Sequence, residues 1–399
     1  MNMIVKTNVK LNLGLSVLRK RADGFHDIET LFVPCFDFGD TLEIITGDDY
    51  SHTSAALFAK YGRTDGLFST SALRQTKQLT SPATGKLCER HDLRTVSPAD
   101  GKPFNQQKAS VGEHVEPTKL DESDNDDKKG ASLSERVTSS EDGRLAQGIS
   151  ENGKLMITIA REEGVDWDPL KDLCAKAYGV LAQDFDLPPV KIFLEKKAPV
   201  GAGLGGGSAD AAFTLKALNE LCGLGLDDLR LSEYAARLGS DCAFFIFNRP
   251  MLGSGRGEVL EPYEIDLSEY EVKVLIPEGV AVSTAEAYKG IVPRESRFGR
   301  LSDQSGECHF DKISDRPCRQ VSSAIESSAD SAGLADLKTV LELPVTEWKN
   351  SLVNDFEATV FKVHPELEAI KQSLYDSGAV YASMSGSGSA LFALYKKYP

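Results

Sequence analysis

A glycine-rich run near the middle of the chain is the segment best suited to chemistry. It reads PVGAGLGGGSADAA from Pro199 to Ala212 and holds five glycines in seven residues. Because glycine has no Cβ, its backbone N–H groups can approach a ligand closely. A helix predicted over Ser208–Cys222 would add the positive end of its dipole. The run therefore predicts a cradle for an anion, and a phosphate chain suits it best.

Two other interpretations of this run stay open. Gly201, Gly203 and Gly206 match the dinucleotide fingerprint, and Asp227 follows about 20 residues later. Against this, the segment Lys196–Pro199 separates the glycines from the preceding strand. The remaining alternative is a glycine loop without a ligand. A Walker P-loop is excluded, because the chain contains no GxxxxGK[ST] sequence.

A second glycine turn lies near the C-terminus. Residues Met384–Ser389 read MSGSGS between two apolar segments. Taken alone, the turn favours a plain hairpin connection. Beside the first loop it favours a second wall of the same pocket, since small residues let the backbone approach a substrate closely.

Three polar residues elsewhere could carry catalysis. Lys10 and Asn12 share one face of the alternating segment Val9–Val17, which predicts a strand. That face is either solvated, the usual case for a lone lysine, or directed into a cleft. Asp241 lies between a helix end and an apolar segment. It either caps the next element or serves as a base held at the rim of a core.

A polar turn, Arg21–His26, follows the first predicted strand. Phe25 and His26 either cover a loop or stack on a flat ring and hydrogen-bond to its edge. The six histidines of the chain include no pair at metal-ligand spacing. The turn therefore favours recognition of a ring rather than of a metal.

The composition excludes several classes of function. A net charge of −15 would repel nucleic acid. The seven cysteines are scattered without a CxxC pair, which is typical of reduced thiols. The N-terminus lacks a signal-peptide core, and no apolar run approaches the roughly 20 residues that span a bilayer. We therefore expect a cytoplasmic protein with no nucleic-acid or membrane partner.

Residues 51–152 differ in character from the rest of the chain, because they are polar and poor in aromatic residues. Such a segment can hardly bury enough surface to offset its ordering entropy. We expect a largely disordered insertion between the two strands of a hairpin, Thr41–Ile45 and Leu155–Ala160. Residues 294–333 have a similar composition and predict a second insertion.

The remaining pattern predicts mixed helices and strands. Besides those named above, the predicted strands are Val190–Glu195, Val272–Ile276, Val380–Met384 and Ala390–Tyr395. The predicted helices, besides Ser208–Cys222, are Leu170–Leu181, Leu231–Leu238, Asp355–Val363 and Pro365–Asp376.

Together these motifs resemble the GHMP kinases, which phosphorylate small metabolites. Lys10–Leu15, Pro199–Ala212 and Met384–Ser389 resemble the first, second and third motifs of that family. The turn Arg21–His26 is similar to that of the branch which takes a cytidyl substrate in non-mevalonate isoprenoid synthesis. Further matching segments are Leu31–Phe32, Asp40–Thr41, Gly239–Phe245 and Val353–Glu357.

The resemblance implies a fold and a reaction. The fold is α+β and two-lobed, with an N-terminal lobe like domain 2 of ribosomal protein S5 over residues 1–260 and an α/β C-terminal lobe over residues 261–399. The reaction is ATP-dependent phosphorylation of the 2-hydroxyl of a cytidyl-linked methylerythritol, with Mg²⁺, by a monomer or homodimer. Alternatives are a kinase of mevalonate, homoserine or a sugar, a non-catalytic ATP-binding paralogue, and a nicotinamide dehydrogenase.

The resemblance also assigns site residues by position. Lys10 and Asp241 would be the catalytic pair, and Ser208 would help to hold Mg²⁺. Tyr288 would close a sandwich on the cytosine opposite Phe25. The other residues that would contact the cytidyl substrate are Asn12, His26 and Thr284. The ATP phosphates would lie on Pro199, Val200, Gly201, Ala202, Gly203, Leu204, Gly205, Gly206, Gly207, Ser208 and Ala209. The Asn-Leu of the family's adenine pocket reads Asp172-Leu173 here.

Overall fold

Residues 1–47, 137–140, 142–294 and 336–397 are described by the computed structural model, and they belong to one unit of the chain. Most of the two predicted insertions lies outside these ranges, so their expected disorder concerns residues that are not described. Every helix in the described ranges is too short or too polar to cross a lipid bilayer.

The described chain alternates between strands and helices. The strands are β1 (Asn2–Lys6), β2 (Val9–Lys20), β3 (His26–Cys35), β4 (Thr41–Thr46), β5 (Val137–Ser139), β6 (Leu145–Ile149), β7 (Leu155–Arg161), β8 (Val190–Lys196), β9 (Met251–Ser254), β10 (Val259–Pro262), β11 (Tyr270–Leu275), β12 (Tyr381–Met384) and β13 (Leu391–Lys396). The helices are α1 (Leu173–Ala182), α2 (Gly206–Leu221), α3 (Asp228–Leu238), α4 (Cys242–Phe247), α5 (Thr284–Tyr288), α6 (Leu337–Leu341), α7 (Trp348–Ser351), α8 (Glu357–Val363) and α9 (Pro365–Asp376). Short 3₁₀ helices cover Pro169–Lys171 and Val345–Glu347.

These bounds confirm the strands and helices predicted from the sequence, with ends shifted by a few residues. The pattern missed β1, β3, β5, β6, β9 and β10 and the short helices α4–α7. Most of the missed strands and helices have six residues or fewer, and such lengths leave little periodicity to detect.

A six-stranded sheet in the order β1-β4-β8-β7-β6-β5 supports the glycine run. β7 and β8 run parallel, and the crossover between them contains α1. Ile44, Ile157 and Ile192 of this sheet share one core with side chains of α1 and α2. The sheet and these helices therefore fix the end of β8, where the glycine run begins.

This sheet corrects two expectations about the insertion. The predicted hairpin between Thr41–Ile45 and Leu155–Ala160 is wrong, because β8 lies between β4 and β7. The predicted extent of the insertion, 51–152, is also too long at its C-terminal end. Residues 137–139 and 145–149 form β5 and β6, and β6 pairs with β7 along its whole length. Pairing with β7 orders β6 and, through it, β5, although the composition of this segment predicts disorder.

A second sheet, in the order β10-β9-β3-β2, places β2 at its edge. Every residue of β2 from Val9 to Val17 is buried. A register shift between Leu13 and Leu15 marks a bulge, where Gly14 has φ +67°. Leu13 and Leu15 consequently belong to different core clusters, although the alternation predicts that they share one face.

The C-terminal part of the described chain forms a third sheet, β11-β13-β12. The second glycine turn connects β12 to β13. Leu11, Ala202, Trp348 and Phe392 share one core, so residues before and after position 260 pack together. The predicted boundary between residues 260 and 261 falls inside β10. The division into lobes at that point stays a prediction.

Candidate active site

The glycine run forms the loop between β8 and α2. Gly205, with φ +74°, is the N-cap of α2, which begins at Gly206 rather than at the predicted Ser208. A Cβ on Gly205 would lie 3.2 Å from Cε of Lys10 and 3.2 Å from a ring carbon of Phe245. A Cβ on Gly201 would meet nothing within 4 Å. The loop therefore packs tightly on one side and offers open backbone, beside a helix N-terminus, on the other.

The two glycine segments touch each other. The N–H of Ala390 donates a hydrogen bond to the carbonyl oxygen of Ala202 at 3.1 Å. The Ser385 hydroxyl donates to the carbonyl oxygen of Gly203 at 3.4 Å. The second turn therefore lies beside the first loop, as the sequence favours, rather than forming an isolated hairpin turn.

Lys10 runs beneath the glycine loop. Its backbone N–H donates to the carbonyl oxygen of Leu204 at 2.9 Å. Its ammonium lies 3.3 Å from Oδ2 of Asp241 and 5.1 Å from the centroid of the Phe32 ring. The residue is only 4% exposed, so the alternative of a solvated strand face is wrong. An unpaired buried charge is costly, so a buried ammonium needs a partner such as the Asp241 carboxylate. We interpret this pair as part of a functional site.

Asp241 lies at the N-cap position of α4, but its side chain makes no capping hydrogen bond. The carboxylate faces Lys10 instead and keeps 33% of its surface exposed. A Cβ on Gly257, in the turn between β9 and β10, would lie 3.8 Å from Oδ1. The carboxylate is therefore fixed on one side by an ammonium and open to a ligand on another.

The amide of Asn12 holds Lys10 in place. Its Oδ1 accepts from the Lys10 ammonium at 2.6 Å, and its Nδ2 donates to the Thr30 hydroxyl at 3.1 Å. A Cβ on Gly386 would lie 3.2 Å from Oδ1 of Asn12 and 3.5 Å from Nζ of Lys10. The side chain predicted to contact substrate is thus engaged within the protein, between Lys10 and the second glycine turn.

The aromatic residues of the predicted cytosine site make contacts of two kinds. The rings of His26 and Tyr288 are stacked, with centroids 4.7 Å apart and planes 17° apart. Phe25 is 54% exposed and lies under the guanidinium of Arg256 at 5.1 Å. Phe25 and Tyr288 make no direct ring contact among the described residues, and their predicted sandwich on a cytosine stays a prediction.

Burial shifts the pKa values of the two stacked side chains. Burial, with a smaller effect from Lys20, holds the pKa of His26 below its ordinary value. Burial raises the pKa of Tyr288, and the charge of Asp241 adds to this rise. Both rings are therefore neutral near pH 7.

Thr284 begins α5, and Tyr288 ends it. The Thr284 hydroxyl lies 3.4 Å from that of Ser387 in the second glycine turn. The two predicted substrate residues on α5 therefore border the site from the same helix, one at the glycine turn and one at the histidine stack.

A buried charge cluster beneath the glycine loop was not predicted. The Lys196 ammonium lies 2.6 Å from Oδ2 of Asp40 and 2.6 Å from Oδ2 of Asp210. Oδ1 of Asp40 also accepts from the backbone N–H of Ala198 at 2.7 Å. The Thr7 hydroxyl donates to Oδ1 of Asp210 at 3.1 Å. The cluster ties the end of β8, the start of the loop and the first turn of α2 to the rest of the sheet.

Electrostatics hold this cluster together. Burial and the adjacent Asp40 raise the pKa of Asp210 well above its ordinary value, against the effect of Lys196. Burial alone would lower the pKa of Lys196, but the two carboxylates raise it overall. Lys196 therefore stays charged. One sequence signal for this cluster is Asp210, which lies among alanines at the start of α2. A charged residue in such an apolar stretch indicates a buried polar partner rather than exposure to solvent.

A second set of unpredicted positioning contacts comes from residues 354–357. Asn354 donates from Nδ2 to the carbonyl oxygens of Met384 and Gly386, each at 2.8 Å. Asp355 accepts from the backbone N–H of Val17 at 2.8 Å. Glu357 accepts from the N–H of Met384 at 2.8 Å. These residues fasten the second glycine turn and β12 to the first strand of the site.

The described residues contain no group of three or more histidine, cysteine, aspartate or glutamate side chains able to hold a metal. Ser208 lies in the first turn of α2 and hydrogen-bonds to Cys242. Burial raises the pKa of the Cys242 thiol to about 12. Asp172 is the N-cap of α1, where its Oδ1 accepts from the N–H of Cys174 at 2.9 Å. Ser208 and Asp172 are therefore both engaged in hydrogen bonds within the protein.

The assembled geometry suits one kind of chemistry. Open backbone and a helix N-terminus can hold an anion, and an ammonium with a partly open carboxylate lies directly beside them. Such a set can orient a hydroxyl, accept its proton and offset negative charge at a transferring phosphoryl group.

Comparison with known families agrees with this geometry. Residues 172–249 match the GHMP kinases N terminal domain, and residues 341–398 match the GHMP kinases C terminal domain. These two matches cover the glycine loop with Asp241 and the second glycine turn, respectively.

Individual relatives are similar over most of their length. A 4-diphosphocytidyl-2-C-methyl-D-erythritol kinase of Bacteroides fragilis is 43% identical over 231 residues, which is 58% of this chain and 70% of that protein. One of Azobacteroides pseudotrichonymphae is 31% identical over 399 residues, covering 99% of this chain and 94% of that protein. A crystal structure of 4-(cytidine 5'-diphospho)-2C-methyl-D-erythritol kinase matches with a TM-score of 0.53 at 21% identity, covering 98% of this chain and 90% of the other. The α+β GHMP kinase fold is thereby confirmed.

Proposed function

This chain belongs to the GHMP kinases, among the 4-diphosphocytidyl-2-C-methyl-D-erythritol kinases, and from that premise we propose its reaction. It transfers the γ-phosphoryl group of ATP to the 2-hydroxyl of 4-diphosphocytidyl-2-C-methyl-D-erythritol, a step of the non-mevalonate route to isoprenoid precursors. The observation that carries this proposal is the pairing of Lys10 and Asp241 at 3.3 Å, directly beneath the glycine loop.

In this reaction Asp241 acts as the general base. Its carboxylate is partly open, so it can accept a hydrogen bond from the acceptor hydroxyl and then its proton. Lys10 offsets the negative charge that develops at the transferring group. Asn12 keeps the Lys10 ammonium directed at this point through the 2.6 Å hydrogen bond to its Oδ1. Asn12 is accordingly proposed to position Lys10.

The glycine loop binds the ATP phosphates. The supporting features are the open side of Gly201 and the N-terminus of α2. Backbone N–H groups and the helix dipole favour the negative charge of a phosphate there. Phosphoryl transfer depends mainly on such positioning and charge stabilisation.

The described residues fit a magnesium ion that arrives with the nucleotide. Mg²⁺ is usually held by one or two protein oxygens together with substrate phosphates, which agrees with the lack of a preformed cluster in the described part of the chain. Ser208 is the residue that would hold it. When bound, the ion neutralises charge on the β- and γ-phosphate oxygens.

The cytidyl group binds at the aromatic turn. Phe25 offers an exposed ring face, and His26 and Tyr288 already form a stack. A pyrimidine ring can stack on such faces, and a neutral imidazole can both donate and accept a hydrogen bond. Thr284 borders the same region beside Ser387.

A direct assay tests the reaction. The protein is incubated with ATP and Mg²⁺ and with one acceptor at a time: the cytidyl-linked methylerythritol, mevalonate or homoserine. Release of ADP with the cytidyl acceptor, and a new phosphate monoester on that acceptor by mass spectrometry, support the proposal. Release of ADP with mevalonate or homoserine alone overturns it. Asp241→Asn, measured in parallel, controls for a contaminating kinase.

A further inference from the structure

The turn between β9 and β10 brings a cation to the acceptor end of the site. The carbonyl oxygen of Gly255 accepts from the backbone N–H of Ile28 at 2.7 Å, which fixes the turn beside β3. Gly257 has φ +107°, and a Cβ on it would lie 3.8 Å from Oδ1 of Asp241. Arg256 stands between these two glycines, so its backbone is anchored next to the catalytic carboxylate.

The side chain of Arg256 extends from there to the aromatic turn. Its guanidinium lies 5.1 Å from the centroid of the Phe25 ring. The side chain is 40% exposed, and the ion pair that it forms among the described residues joins Nε to Oε1 of Glu258 at a long 3.5 Å. Within the described part of the chain, its two terminal nitrogens have no hydrogen-bond partner. A planar guanidinium with two open donors matches the geometry of a phosphate group.

Neighbouring cations are less suited to that role. Arg21 is held by Asp23, at 2.9 Å, and by Asp27, at 3.0 Å. Arg19 also pairs with Asp27. Lys20 lies opposite His26 in the pairing of β2 with β3, where its charge helps to lower the pKa of that histidine after the effect of burial. Lys20 is therefore the competing candidate for binding the diphosphate, and it lies near His26, where the nucleobase is proposed to bind.

We propose that Arg256 binds the diphosphate of a nucleoside-diphosphate-linked acceptor and sets the preference for a nucleoside diphosphate over a nucleoside. The inference rests on the proposed function. The base binds at Phe25 and His26, and the reacting hydroxyl binds at Asp241. The diphosphate joins these two ends of the acceptor, so it crosses the gap that Arg256 spans. Phe25 supports the guanidinium in that position through a cation–π contact.

Inhibition by two fragments of the acceptor tests this role. With ATP saturating, CDP and cytidine are each measured as inhibitors competitive with the cytidyl acceptor. The ratio of their inhibition constants reports the contribution of the diphosphate alone. The variants are Arg256→Gln, Arg256→Lys and Lys20→Gln. Arg230→Gln is the matched control, because Arg230 is an exposed arginine paired with Glu233 at 3.0 Å on α3.

The wild-type protein should prefer CDP to cytidine. Arg256→Gln should reduce that preference about 5- to 30-fold, as expected for the loss of a charge-assisted hydrogen bond to phosphate. The KM for the acceptor should rise by a similar factor. Arg256→Lys should restore part of the preference, and Arg230→Gln should leave it unchanged. Inhibition by cytidine itself should stay within about twofold across the set.

An unchanged CDP preference in Arg256→Gln overturns the inference, and so does a loss of preference in Lys20→Gln but not in Arg256→Gln. Failure of the proposed function is a separate result. In that case the wild-type protein does not phosphorylate the cytidyl acceptor, and neither CDP nor cytidine protects against thermal unfolding.

Discussion

Gly203 packs directly on Ser385. A Cβ on Gly203 would overlap the carbonyl oxygen of Ser385 and would come within 3.0 Å of the backbone nitrogen of Gly388. Gly203 also has φ +76°. The contact joins the two glycine segments backbone to backbone, so neither segment can keep its position if the other moves.

Gly203→Ala should therefore lower both stability and activity. The left-handed backbone costs a non-glycine residue roughly 1–2 kcal/mol, and the overlap with immobile backbone should bring the total to about 3 kcal/mol or more. Calorimetric unfolding measures this loss, and the KM for ATP should rise in parallel.

Gly223→Ala is the matched control for that substitution. Gly223 follows α2, has φ +62° and would meet nothing within 4 Å if it carried a Cβ. Its replacement should cost only the roughly 1–2 kcal/mol of the left-handed backbone and leave the KM for ATP unchanged. Equal losses at positions 203 and 223 would show that the contact with Ser385 adds nothing.

Asp241→Asn should fold normally and lose most turnover. The amide keeps the shape of the carboxylate but cannot accept the proton of the acceptor hydroxyl. The expected fall in kcat is about 10²- to 10⁴-fold, measured by ADP release at saturating substrates. Asp186→Asn serves as control, because Asp186 also pairs with a lysine, Lys154 at 2.8 Å, but is 95% exposed. Near-native turnover in Asp241→Asn would rule out its role as the base.

Asn354→Asp should impair catalysis through the second glycine turn. A carboxylate at this position would face the carbonyl oxygens of Met384 and Gly386, which now accept two hydrogen bonds at 2.8 Å. Because Gly386 lies against Lys10 and Asn12, we expect kcat/KM to fall about 10-fold or more, for a loss on the order of two hydrogen bonds.

Asn219→Asp separates this effect from simple destabilisation. Asn219 also donates from Nδ2 to a backbone carbonyl oxygen, that of Leu226 at 2.8 Å. Both variants should unfold at a lower temperature than the wild type. Only Asn354→Asp should lose kcat/KM, and an equal loss in Asn219→Asp would remove the case for positioning.

His26 should make stability depend on pH. Burial and Lys20 hold its pKa below the ordinary value in the folded protein, whereas the unfolded chain titrates near about 6.5. The unfolded state therefore binds a proton first as the pH falls. The stability that the neutral imidazole contributes is present above about pH 6.5 and is lost as the pH falls through the folded pKa.

The comparison of wild type with His26→Phe measures this contribution. The phenyl ring can still stack on Tyr288 but does not titrate. Between about pH 7.5 and pH 5.5, the melting temperature of the wild type should fall further than that of the variant. Parallel curves would mean that another group causes the decline.

The sequence predicts the glycine loop well because its signal is local. Five glycines followed by a helix determine a backbone shape within a dozen residues. The burial of Lys10 could not be predicted in the same way. Alternation in Val9–Val17 predicts a strand, but the loop that covers its polar face comes from residues near position 204, and strand periodicity carries no information about such remote partners.

The aromatic site shows a similar limit. The resemblance predicts the residues Phe25, His26 and Tyr288, and the structure brings His26 and Tyr288 together. Which of two adjacent residues faces Tyr288 depends on the direction in which β3 leaves the turn. The motif alone does not determine the direction in which β3 leaves the turn. The cytoplasmic location and the monomeric or homodimeric state stay predictions.

The cluster of Lys196, Asp40 and Asp210 has a consequence for how a nucleotide meets this protein. Any shift of the loop away from this cluster would break the contacts of the buried Lys196 ammonium with Asp40 and Asp210 in a medium of low dielectric, at a large energetic cost. We therefore expect this part of the loop to be ordered before the nucleotide arrives. On the proposed function, we expect ATP to meet a loop already shaped for its phosphates, so that little of its binding energy is consumed in ordering the loop.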